Sequence, residues 1–313
     1  MIVTIRGLQE GLKNAASVTA LLSAMTAIVR SKKTLMMQLT GFEEASALQM
    51  LEGKSLREQE LQMTFKMYRD EGIDAIMVRA ETSDLTKEHF DQTVTEVLDK
   101  QNLFDVLKET NKREFYDFLD KAKVRNILKG AKQVYDYIYV LLPEREEVIQ
   151  MVQEMSDEDI VVVPQGPAVE IDYTEKPFTV IVNDFESKSI YDPRVMAKSY
   201  GVKKIYTLPH NYMYRDAIIS QTLVDFVLEN RKDMREDINY EFTSSVIKLL
   251  NKYITGEIDD DEEENDVEKM PKIDDFDTTD FPELKELPDE SIQEVYVKKG
   301  LFGRKKKKLT ADF

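Results

Sequence analysis

The chain has 313 residues, 42% of them apolar and 33% charged, enough for one large or two modest domains with a sizeable core. It contains no cysteine and only two histidines, His89 and His210. That excludes a disulfide scaffold, a Cys-ligated zinc or iron–sulfur site and thiol catalysis, and leaves too few imidazoles for a His-rich metal site or a His-based triad. The net charge of −17 is unevenly spread: Glu257–Glu290 holds 17 acids against 3 lysines, Ser291–Phe313 holds 2 acids against 7 bases, and the first 256 residues keep an ordinary −8. The acidity therefore belongs to a C-terminal segment. A net-negative body without a basic stripe argues against nonspecific DNA binding through that surface.

In chain order, Ile2–Ile5 is the first predicted strand. Ala15–Val29 follows as a 15-residue stretch without charge, short of the about 20 residues that cross a bilayer. It is preceded by a strand and a Gly turn rather than by a charged leader, so a buried helix is expected, not a signal peptide or membrane span. Lys32–Leu39 is the second strand, with Leu35, Met36 and Met37 in the core, and Ile73–Val78 the third. Glu114–Val134 is expected to be helical with Phe115, Phe118, Leu119 and Ala122 on its apolar face. Asp136–Leu142, Ile160–Val163, Phe178–Val182 and Lys204–Leu208 complete a set of seven strands. Several are continuously apolar, as in a parallel sheet covered by helices on both faces. The expectation is a doubly wound α/β domain over residues 1–256 with a mostly parallel sheet of about seven strands.

Leu223–Ile254 is amphipathic and reads as two closing helices. Residues 257–290 are too charged to offset their ordering entropy by burial and are expected to form a disordered acidic linker. Within it, Phe276, Phe281 and Leu284 suit docking on a partner, against the plainer reading of a solvated spacer. Residues 291–313 form a basic-hydrophobic tail.

A strand, a Gly-containing turn and a helix is the layout of a phosphate-binding loop, which needs glycines, a lysine for the β/γ oxygens and a Ser/Thr hydroxyl for magnesium. Here the turn runs Gly7-Leu8-Gln9-Glu10-Gly11-Leu12-Lys13-Asn14-Ala15-Ala16. No hydroxyl follows Lys13, and Glu10 places a negative charge where a triphosphate would lie. Lys13 at the helix N-terminus keeps weak phosphate or ATP/ADP binding open, although Glu10 opposes it.

The first 256 residues resemble the ParA/MinD family of deviant P-loop ATPases, and more narrowly its TadZ/CpaE-like branch. The resemblance is carried by the N-terminal strand entering the loop, the Ala-rich helix, LMMQLT in the second strand, Glu71–Leu85, Tyr135–Pro143, Val161–Pro167, and Leu208–Asn211 followed by Arg215-Asp216-Ala217. Aligned on the family loop, Asn14 falls on the catalytic lysine and Ala15 on the magnesium-binding Thr. Gln38-Leu39-Thr40 stands where the family has Asp-x-Asp, and Leu141 replaces the Walker B Asp. The resemblance thus implies a degenerate nucleotide site of Gly7, Gly11, Lys13, Asn14, Thr40 and Leu141, no resident cofactor and no ATP hydrolysis.

Other candidates have plainer readings. Glu43 and Glu44 suit helix capping and the macrodipole. His210, beside Asn211 and Tyr212, lies near a strand end but is read as structural because no acid or nucleophile adjoins it in sequence; His89 reads as a surface helix residue. The tail residues Lys298, Lys299, Leu301, Phe302, Arg304, Lys305, Lys306, Lys307 and Lys308 suit an anionic membrane surface. A protein partner or nucleic acid, the chain's own acidic linker, or no partner at all are the competing readings of that tail. The resemblance implies a cytoplasmic scaffold or positioning adaptor, at the inner face of the membrane, for a pilus, secretion or conjugation machine. It also implies pairing with itself or with an active relative. A partition accessory binding nucleic acid through its tail and a non-hydrolysing nucleotide switch are the alternatives.

Overall fold

The structure, a computed structural model, describes residues 1–8, 11–41, 46–51, 72–98, 103–110, 112, 114–171, 177–202, 205–231 and 238–255. The linker and tail assignments, Glu10, Glu43 and Glu44 lie outside these residues.

Among the described residues the strands are β1 (Ile2–Gly7), β2 (Thr34–Gln38), β3 (Thr95–Glu96), β4 (Phe104–Leu107), β5 (Tyr137–Leu142), β6 (Glu158–Pro164), β7 (Thr179–Phe185) and β8 (Ile205–Pro209). They form one sheet in the order β3-β4-β2-β5-β1-β6-β7-β8, parallel except that β3 runs antiparallel to β4. The helices are α1 (Leu12–Arg30), α2 (Gly72–Thr82), α3 (Lys87–Asp91), α4 (Phe115–Phe118), α5 (Lys121–Ala131), α6 (Glu146–Gln153), α7 (Pro193–Tyr200), α8 (Tyr212–Ile219), α9 (Leu223–Glu229) and α10 (Tyr240–Leu249). A π-helical turn, Leu250–Thr255, follows α10. The doubly wound, mostly parallel α/β fold is as the sequence predicts, with eight strands.

Alternation along each strand divides the core between two faces. Val3 and Ile5 of β1 join Met36, Tyr139 and Leu141 on the face covered by α1, α9 and α10. Ile2 joins Leu35, Met37, Ile138 and Val140 on the face covered by α2, α5 and α6. Both faces are buried, which explains the continuously apolar strands.

The stretch Ala15–Ala27 of α1 is buried throughout, so this helix, long and apolar enough to cross a membrane, is 72% enclosed within the fold. Its alanines let it approach the sheet closely. Its buried hydroxyls bond back to the helix, Ser17 to the Asn14 carbonyl at 2.9 Å, Thr19 to Ala15 at 2.7 Å and Ser23 to Thr19 at 2.7 Å, while Thr26 meets the Tyr139 hydroxyl at 2.6 Å.

Three expectations are corrected. Ile73–Val78 is not a strand but part of α2: Ile73, Ile76, Met77 and Ala80 are buried at helical spacing, and Val78 is turned outward. A six-residue apolar run fits either period, and only the packing partner decides. The helix predicted over Glu114–Val134 is broken after α4 by Leu119, which is extended, and Asp120, which caps α5 by accepting from the Lys123 N–H at 2.8 Å. Phe118 and Ala122 are consequently exposed, and Val124, Ile127 and Leu128 take their place in the core. The short strands β3 and β4 extend the sheet beyond the seven expected strands, and β4 has no apolar run to mark it, because it carries Asp105 at its centre. That carboxyl is buried, accepts from the Tyr135 hydroxyl at 2.8 Å and is pushed up in pKa by burial.

Candidate functional site

In an open parallel sheet, ligands bind where the carboxyl ends of the strands meet the following helices. Here that edge is led by the β1–α1 turn. The turn is tight: the Gly11 N–H donates to the Leu8 carbonyl at 2.9 Å. A Cβ on Gly7 would lie 2.3 Å from the Gly11 carbonyl oxygen and 2.8 Å from the Leu12 nitrogen, so only glycine fits. Gly11 is the N-cap of α1 and supplies no side-chain cap, and the first turn has no acidic residue. The first-turn amides therefore present donors and the positive end of the helix dipole, with Lys13 and Asn14 both exposed beside them.

The remaining members of the sequence-derived site are turned to structural work. Thr40 is fully buried, and its hydroxyl accepts from Gln38 Nε2 at 3.1 Å. The Gln38 Oε1 in turn accepts from the Ala47 N–H at 3.0 Å, so this pair holds residues 46–51 against the sheet end. Leu141 is fully buried, in register with Ile5 on one side and Gln38 on the other, and its carbonyl accepts from the Leu39 N–H at 2.9 Å. Ala15, next to Asn14, is buried and has no side-chain oxygen to offer a metal. The fold thus brings Gly7, Gly11, Lys13 and Asn14 together at one turn, and leaves Thr40 and Leu141 inside the protein.

The same edge holds a pair that sequence reasoning missed. His210, after β8, has its Nδ1 in contact with the Asp184 carboxylate at the end of β7, and its ring stands edge-on to Tyr212 at 4.4 Å. Asp184 adopts φ 60 at an irregularity in the β7–β8 pairing, a conformation uncommon outside glycine. The reading of His210 as a histidine without a nearby acid is therefore corrected. The available signal was that VNDF and LPHN end consecutive strands, which are neighbours in a parallel sheet. His89 is on the surface, as expected; its Nδ1 accepts from the Thr86 N–H at 3.1 Å and closes a capping box at the start of α3.

Behind this edge, amide side chains form a chain of contacts. Asn211 caps α8 by accepting from the Tyr214 N–H at 2.8 Å and donates to Asn239 at 2.9 Å; Asn239 donates to Asn230 at 2.8 Å; and Asn230 donates to the Phe226 carbonyl at 2.7 Å. The chain ties the β8–α8 turn to α9 and the start of α10. At the opposite end of the sheet, Lys33, Lys87, Asp91, Val94, Glu96 and Asp105 line a cavity of about 320 Å³, away from the edge where open sheets bind ligands.

Compared with known protein families and with curated proteins, the chain matches none. Solved structures do match. A ParA family ATPase from Chlorobium tepidum TLS aligns with a TM-score of 0.59 at 15% identity over 79% of this chain and 96% of that one. The cell division ATPase MinD of Pyrococcus furiosus gives 0.54 at 15% identity over 80% and 98%, and a chain of the MinC:MinD cell division protein complex from Aquifex aeolicus gives 0.53 at 14% over 80% and 95%. The alignments cover these relatives almost end to end, at identities where what is shared is the fold. The resemblance read from strand order and loop texture is thereby established at the level of architecture: this chain has the ParA/MinD fold.

Proposed function

We propose that this protein is a ParA/MinD-fold protein without ATP hydrolysis, of the TadZ/CpaE-like kind, that serves as a scaffold or positioning adaptor for a membrane-associated assembly of pilus, secretion or conjugation type. The observation that carries this reading is the fate of the site residues. Phosphoryl transfer needs a lysine on the β/γ oxygens, a hydroxyl and an acid for magnesium and an acid to orient water. Asn14 and Ala15 stand at the first two positions, Thr40 is bonded to Gln38, and Leu141 is core. This donor set does not fit a magnesium–nucleotide complex, and no catalytic step runs through it.

Without turnover, the fold's use lies in its surfaces. The MinC:MinD neighbour has a protein partner, which supports a partner for this chain, alongside pairing with a second copy or an active relative. The basic-hydrophobic residues 298–308 would deliver it to the inner face of the membrane or, in the alternative reading as a partition accessory, to nucleic acid. A second reading, a non-hydrolysing nucleotide switch, is favoured by the first turn of α1, which among the described residues has no side-chain cap and no acidic residue, beside exposed Lys13.

Calorimetric titration with Mg·ATP and Mg·ADP, with a thermal-shift scan, separates the two. A ligand at about 100 times its dissociation constant stabilises by roughly 2.7 kcal/mol. The scaffold reading expects neither heat nor shift at millimolar nucleotide. Clear binding would replace it with the switch.

A further inference from the structure

The cavity at the amino-end edge of the sheet is made by Lys33 just before β2, Glu96 of β3, Asp105 of β4, Lys87 and Asp91 of α3, and Val94. The innermost of these by exposure is Asp105, which keeps only 6% of its surface. One of its carboxylate oxygens accepts from the Tyr135 hydroxyl at 2.8 Å, and the other has no hydrogen-bond partner among the described residues. A carboxylate this far from water costs free energy unless its charge is met. Burial pushes its pKa up, against the Tyr135 hydrogen bond and the nearby Lys33 charge. Lys33 does not meet it directly: its Nζ stands 5.0 Å from the centre of the Tyr135 ring and makes no ion pair among the described residues. Lys87 and Asp91, both exposed and four residues apart on α3, form no ion pair among the described residues either.

Both signs of charge in one cavity select the ligand. A dicarboxylate would face Asp91, Glu96 and Asp105, and a diamine would face Lys33 and Lys87. A molecule that carries one ammonium and one carboxylate satisfies both sets. The volume of about 320 Å³ stands at the small end of the roughly 300–1,000 Å³ of ligand pockets, which limits the guest to amino-acid size. Half-buried Val94 gives its carbon atoms an apolar wall. We propose that this cavity binds an amino-acid-sized zwitterion, with its ammonium on Asp91 and the free oxygen of Asp105 and its carboxylate on Lys33 and Lys87. Because Lys87, Asp91 and Glu96 are exposed, solvent screens much of the attraction and the dissociation constant falls at about 0.1–1 mM. The site lies away from the β1–α1 turn and does not depend on whether the chain binds nucleotide or acts as a scaffold.

The test is calorimetric titration of the full chain at neutral pH with each of the standard L-amino acids, carried to about 10 mM so that millimolar binding saturates. Putrescine and succinate, a diamine and a dicarboxylate, serve as single-sign controls. At least one amino acid is expected to give a saturable heat, and neither control should. Asp105→Asn keeps an oxygen for the Tyr135 hydroxyl but loses the charge, and should weaken that binding at least about tenfold. Lys87→Ala should do the same; this side chain is exposed, so circular dichroism and the thermal midpoint should stay unchanged and separate lost binding from lost folding. No heat from any of the amino acids would overturn the proposal. Putrescine or succinate binding as tightly as the best amino acid would overturn it too, since one sign of charge would then suffice. Binding that survives either Asp105→Asn or Lys87→Ala would place the ligand elsewhere on the protein and overturn it equally.

Discussion

Leu141 has no exposed surface and sits in register between Ile5 and Gln38, where the ParA/MinD resemblance implies an acid. A leucine there is not a vacant ligand position but part of the α1-side core. Leu141→Asp, the substitution that would restore the acid, should therefore cost about 3 kcal/mol or more by burying an unpaired carboxylate. Urea unfolding at neutral pH measures this; an unchanged midpoint would show position 141 to be open to solvent and would weaken the argument from its burial. Gly7 makes the complementary point: a Cβ there would meet the Gly11 carbonyl oxygen at 2.3 Å, so this glycine reports backbone geometry and not function. His210 looks isolated in the sequence because its acid, Asp184, is 26 residues away and is delivered only by the pairing of β7 with β8.

Among the elements, those with long, unambiguous patterns were legible. The uncharged run became α1, and the β-branched runs became β6 and β7. The short apolar run Ile73–Val78 was not, since its period was undetermined until α5 packed against it. Polar chains between elements leave no periodic trace either, as the Asn211–Asn239–Asn230 contacts show. Asn239→Ala would strand a donor on Asn211 and an acceptor on buried Asn230, and should lower stability by about 1–3 kcal/mol. Thermal unfolding checks this. A loss below a few tenths of a kcal/mol would mean that water replaces the amide at that position.

At the scale of the whole molecule, the body and the charged C-terminal residues pose separate questions. Residues 291–313 combine 7 bases with Leu301 and Phe302, a composition suited to reversible, salt-sensitive attachment to anionic lipid. The full chain should co-sediment with phosphatidylglycerol vesicles, lose that association when residues 291–313 are removed, and lose most of it at about 0.5 M salt, where the screening length falls to a few ångströms. Sedimentation with duplex DNA instead, lost on the same truncation, would favour the partition reading. The sequence by itself determined the fold class, the buried first helix and the absence of cysteine, because each is written in a local run of residues. Only the tertiary structure decided that α2 is a helix, that Asp105 is buried beneath Tyr135, that Asp184 meets His210, and that Thr40 and Leu141 face inward. Each of these depends on which distant strand or helix becomes a neighbour, and that is settled by packing the whole sheet.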